Sequence, residues 1–113
     1  MPDCIFCKIA NHQISTTPVY EDDDCLAFHD LNPQAPVHVL VIPKIHTDKI
    51  SGYGDADEHL IAHVFLVVCK VAKQLGVGEG FRLVTNNGAS AGQSVFHWHV
   101  HVLGGRAMSW PPG

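Results

Sequence analysis

The chain has 113 residues, 46% hydrophobic and 16% charged, and is expected to form one globular domain spanning 1–113. Its formal net charge is −4 and it has no Lys/Arg cluster. Both argue against a nucleic-acid polymer as partner, because phosphate neutralisation dominates such binding, and both leave a single nucleotide open.

The N-terminal stretch MPDCIFCKIA lacks a charged segment followed by an apolar one, so no secretory signal is expected. The longest apolar run, 64–69, is far short of the ~20 residues of a membrane span. A cytoplasmic location follows, with the four cysteines reduced. Cys25 and Cys69 lie in apolar surroundings and read as buried small hydrophobes.

In chain order, residues 5–11 suit a short helix. Residues 19–21 and 25–29 flank the acidic turn Asp22-Asp23-Asp24 and read as a hairpin. Pro33 and Pro36 make 31–36 a loop. Residues 37–43 (VHVLVIP) are mostly apolar, as in a central strand covered on both faces. Asp55 and Glu58 form a capping signal for a helix that runs to Gly76 as its C′ residue. That helix leaves only a narrow polar stripe of His59, His63, Lys70 and Gln74, which suggests a subunit interface. Residues 81–85 read as a strand, 86–94 as a polar loop, 95–103 as a second strand and 104–113 as irregular. The fold class is α+β, an antiparallel meander with one long helix.

The last strand carries His97, His99 and His101 at alternate positions, with Phe96, Trp98, Val100 and Val102 between them. Alternation on a strand puts the three imidazoles on one face, away from the core, and the apolar set on the other. The outer two Cα atoms then lie ~13 Å apart, so a single phosphorus is attacked by only one histidine, most naturally the middle one, His99. The preceding loop, NNGASAGQS, offers glycines and the polar Asn86, Gln93 and Ser94 around a phosphate. Nucleophilic phosphoryl or nucleotidyl transfer is the leading reading. A catalytic metal held by alternating histidines, and a purely structural role, remain rivals.

The run His97-Trp98-His99-Val100-His101-Val102-Leu103 resembles the His-φ-His-φ-His-φ-φ motif of the histidine-triad (HIT) superfamily. The stretches YEDDDCLAFHDLNPQAPVHVLVIPK and FRLVTNNGASAGQSVFHWHVHVLGGR and the ending WPPG are similar to the Hint branch, the purine nucleoside phosphoramidases. The resemblance implies the HIT fold, with a short N-terminal helix beside the long one, a homodimer and hydrolysis of AMP–amine conjugates. It makes His99 the residue that becomes nucleotidylated, His101 a phosphate contact, Ser94 a partner near the leaving group and His38 a support from the adjacent strand. Asn86, Gly92 and Gln93 would line the phosphate and ribose site. Asp30 would hold the ribose hydroxyls, and Phe28, His29 and Leu31 the base. Asn87, Ala91 and Ser109 depart from common family residues, which touches leaving-group or base preference. Hydrolysis of dinucleoside polyphosphates or nucleotidyl anhydrides, and a nucleotide-sensing module with incidental hydrolysis, are the alternatives.

Cys4-x-x-Cys7 has only three residues before it, unlike a thioredoxin-type motif that follows a core strand. The HIT resemblance supplies two further zinc ligands, His46 and His97, making a closed Cys₂His₂ structural site with no catalytic metal required. Two reduced surface cysteines without metal are the alternative.

Overall fold

The computed structural model describes residues 3–113. The elements are α1 (Ile5–Ala10), β1 (Tyr20–Glu21), β2 (Cys25–His29), β3 (Val37–Pro43), α2 (Glu58–Gln74), β4 (Phe81–Val84) and β5 (Val100–Gly104). The strands form one antiparallel sheet in the order β1-β2-β3-β5-β4. The expected meander runs through β1, β2 and β3. Beyond it β5 lies inside the sheet and β4 takes the edge. Burial explains the exchange: Val100 and Val102 of β5 are fully buried, whereas Leu83 of β4 is exposed.

Strand alternation sorts the core into two layers. Cys25, Ala27, Val39, Val41, Val100 and Val102 face α2, where they meet Val64, Val67, Val68, Val71 and Ala72. Leu26, Phe28, Leu40 and Ile42 face the other way and pack against Phe6, Ile9 and Ala10 of α1. β3 is therefore covered on both faces, as its unbroken apolar run predicts. Trp98 joins the α2 layer with its ring edge-on to Tyr53 at 5.2 Å, and its indole N–H donates to Thr85 Oγ1 at 2.9 Å. Removing so large a buried side chain costs about 3–5 kcal/mol.

The hairpin and α2 are tied by one carboxylate. Asp22 Oδ1 accepts from the N–H groups of Asp24 and Cys25, both at 2.8 Å, which closes the β1–β2 turn. Its Oδ2 accepts from the Tyr20 hydroxyl at 2.8 Å and from the ring of His63 on α2 at 2.7 Å. Burial pushes this carboxyl upward, but these hydrogen bonds to its ionised form outweigh that and hold it at about 2.

Four local expectations change. The entry to α2 is a 3₁₀ turn at Asp55–Asp57, and the capping contact runs from Gly54 N–H to Asp57 Oδ2 at 2.9 Å, not through the Asp55–Glu58 pair. Gly76 does close the helix, with φ of 79°. Cys69 is exposed, because it falls on the outward side of α2 near Leu66, itself 60% exposed.

The last two changes concern the histidines. Residues 95–99 lie outside the ladder, and β5 begins only at Val100. β3 ends at Pro43, which has no N–H to donate, and its carbonyl is taken by the His97 ring at 2.8 Å. Trp98 N–H turns to Thr47 O at 2.7 Å instead. His97 and His99 are consequently buried rather than displayed away from the core, while Phe96, expected inside, is 44% exposed.

Candidate functional site

His99 sits at the entry to β5, buried, with its Nδ1 2.8 Å from the His97 carbonyl oxygen. A carbonyl only accepts, so the His99 proton is on Nδ1 and the lone pair is on Nε2. A second chain of hydrogen bonds sets His101. The Gln34 N–H donates to His38 Nδ1 at 2.9 Å, so His38 carries its proton on Nε2. That nitrogen lies 2.9 Å from His101 Nδ1, which accepts, leaving the His101 N–H on Nε2. Register explains the pairing: Leu40 opposes His101 and His38 opposes Leu103, so the two histidines are diagonal neighbours on the α1 face of the sheet.

Burial pushes His99 below the usual imidazole range, partly offset by the His97 carbonyl. Burial, then the neighbouring His99 and His38, push His101 down to about 4. Both rings are neutral at pH 7: one offers a lone pair, the other an N–H. Their centroids are 5.0 Å apart.

The two rings line a cavity of about 360 Å³. Ser94, Asn86 and Gly92 line it from the polar loop, and Phe28, Asp30 and Leu31 from the end of β2. Gly92 has φ of 94°, a conformation that favours glycine. Asp30 Oδ1 accepts from Asn32 N–H at 2.8 Å, and its Oδ2 lies 3.4 Å from His38 Nε2. His38 stands behind His101 and supports it without lining the cavity.

Two expected lining residues are elsewhere. His29 is exposed and faces a neighbouring cleft with Ile14, Ser15, Thr16 and Thr17. Gln93 is buried and its amide is fully engaged: Oε1 accepts from Gly88 N–H, and Nε2 donates to the carbonyls of Asp48 and Val95. It braces the loop. The cavity also has a wall that sequence reasoning missed, Ile5, Phe6 and Ile9 of α1, with Leu40 and Val95. The apolar spacing in IFCKIA marks a helix face but not what the face meets.

The HIT domain family matches residues 11–108 of the chain. The chain belongs to the HIT family. A HIT-like protein of Synechocystis is 56% identical over 111 residues, 98% of this chain and 97% of its own. The "14 kDa zinc-binding protein" of Zea mays is 50% identical over 112 residues, 96% of this chain and 87% of its own. The crystal structure of a HIT family hydrolase from Legionella pneumophila superposes with a TM-score of 0.96 at 48% identity, covering 98% of this chain and all of the other.

This HIT chain also gathers Cys4, Cys7, His46 and His97, whose ligand atoms all lie within 4.8 Å of one another. His97 Nε2 donates to Pro43 O, and His46 Nε2 lies 2.7 Å from the Asp48 carboxylate, which also only accepts. Both protons are thus fixed on Nε2, and the two Nδ1 lone pairs face each other at 3.2 Å. Cys4 Sγ and Cys7 Sγ lie 3.3 and 3.4 Å from His97 Nδ1, and Cys7 Sγ lies 3.4 Å from His46 Nδ1. Facing lone pairs repel unless a cation sits between them. A tetrahedral Zn²⁺ with ordinary bond lengths would separate its N and S ligands by roughly 3.3–3.8 Å. The donor set and its spacing fit such an ion, with the carboxylate and carbonyl orienting the two imidazoles from behind.

Proposed function

We propose that this HIT protein is a nucleotide hydrolase that cleaves purine nucleoside 5′-phosphoramidates of the AMP–amine type through a nucleotidyl–His99 intermediate. The observation that carries the reading is the His99 tautomer: Nδ1–H is held by the His97 carbonyl, so Nε2 is a neutral nucleophile on the cavity wall. Attack by Nε2 forms the N–P bond as the bond from phosphorus to the amine breaks. The departing nitrogen keeps that bond's electron pair and takes up a proton from solvent to leave as the neutral amine. The imidazolium that results is stabilised by the carbonyl behind it. The His101 N–H binds a phosphate oxygen, and Ser94 hydrogen-bonds the departing nitrogen. Asn86 and Gly92 cradle the phosphate, Asp30 takes the ribose hydroxyls, and Phe28 and Leu31 take the base. Water then attacks phosphorus as the P–Nε2 bond breaks, giving one proton back to solvent, releasing the nucleoside monophosphate and restoring neutral His99.

In this reading Cys4, Cys7, His46 and His97 hold one structural Zn²⁺. When bound, the ion supplies the positive charge that two thiolates and two facing lone pairs call for. The chemistry at His99 uses no metal. The uncovered apolar stripe of α2, with Ala62, Leu66 and Cys69 exposed, supports a two-fold homodimer, and a cytoplasmic location is part of the same proposal. Trp110, 83% exposed, and the rest of the tail would then approach the partner's site.

Steady-state turnover of an AMP–amine, a diadenosine polyphosphate and an AMP anhydride tests the assignment. The AMP–amine is expected to have the highest kcat/KM. A preference for the polyphosphate would move the protein to a different substrate class, and binding of AMP without turnover of any of the three would make it a sensor.

A further inference from the structure

The helix α1 has six residues, a length that does not hold itself as a helix in water. Its start is fastened by the cysteine cluster. Cys4 Sγ caps it by accepting the Cys7 N–H at 3.3 Å, and Cys4 O and Cys7 O accept from the amides of Lys8 and Asn11 at 3.1 and 3.0 Å. The opposite side of the same short helix is cavity wall, through Ile5, Phe6 and Ile9. The Phe6 ring lies edge-on to His99 at 5.1 Å and to His97 at 6.0 Å. His97 belongs to both places, with Nδ1 turned to the cluster and its carbonyl on His99. We infer that the Cys4–Cys7–His46–His97 cluster, loaded with zinc, is the clamp that holds α1 as a wall of the cavity, so that metal occupancy sets nucleotide affinity.

This rests on the nucleotide reading of the cavity. Zinc loss frees Cys4 and Cys7 together, and a wall that must be ordered on binding weakens the ligand by the cost of ordering it. The layer between the sheet and α2 does not depend on the clamp, since its core is separate from the one that α1 covers.

The test compares wild-type protein under reducing conditions in three states: zinc-loaded, stripped by chelator, and reloaded. AMP binding is followed by calorimetry, and amide exchange at Lys8 and Asn11 by NMR. Stripping should weaken AMP binding at least about tenfold and speed exchange at both amides at least about tenfold, with β3 and α2 still protected and reloading restoring both. Cys7→Ser should reproduce the stripped state without chelator. AMP affinity that stays within about twofold on stripping, or unchanged protection of Lys8 and Asn11, overturns the clamp while leaving the nucleotide reading intact. Loaded protein that binds no AMP overturns that reading, and the inference falls with it.

Discussion

At the residue scale, the roles of the histidines follow from which ring nitrogen each neighbour can use. The alternation in FHWHVHVL identifies the group, and the spacing singles out His99 as the middle residue. What no pattern supplies is the hydrogen-bond partner behind each ring: Pro43 O accepts from His97, His97 O accepts from His99, and His38 Nε2–H donates to His101. The contacts to Pro43 and Thr47 accompany the departure of residues 95–99 from the ladder, and Pro43, Thr47 and His38 are all distant from the triad in sequence. Gln93 shows the same limit. A polar residue in a glycine-rich loop reads as a ligand contact, yet its amide is saturated by three backbone groups. Gln93→Ala leaves those half-buried groups without that partner and should cost about 1 kcal/mol in chemical denaturation. A loss below a few tenths would show the bracing to be unimportant.

At the element scale, hydrophobic patterning was informative where an element is covered uniformly and silent where its neighbour is non-local. β3 and α2 were legible from their apolar runs, and α1 was legible as a helix but not as a cavity wall. The β1–β2 turn carries a pH-dependent tie to α2 through Asp22. Its carboxyl is held at about 2, below the usual 3.8, so its stabilisation is fully present above about 4 and is lost as pH falls toward 2. A shift of this size corresponds to at most about 2–3 kcal/mol, and solvent screening at a half-buried group lowers that. Asp22→Asn should therefore be less stable than wild type at pH 7, with the gap closing as pH approaches 2. A gap that stays constant over that range would contradict the assignment. The cluster under α1 should hold about one equivalent of zinc per chain by elemental analysis of protein purified without added metal. Less than about a tenth, with no gain on reconstitution, would remove it.

At the scale of the whole molecule, α2 buries one side on the sheet and leaves Leu66 and Cys69 outward. The helix looked too apolar for a surface helix in the sequence, and the fold leaves that surplus facing solvent. The proposed two-fold dimer would cover it with the same residues from both chains. Sedimentation at micromolar concentration should show a dimer, and Leu66→Asp should shift it toward monomer. A monomeric wild type would contradict this.

The central claim is that His99 Nε2 takes the nucleotidyl group. Rapid quench of wild-type protein with an AMP–amine substrate should trap an acid-labile, base-stable adduct of one AMP per chain on His99. His99→Ala should still bind AMP, form no adduct and lose at least ~10³-fold in kcat. An adduct mapped to His97 or His101, or a His99→Ala variant keeping more than about a tenth of wild-type turnover, would contradict the account.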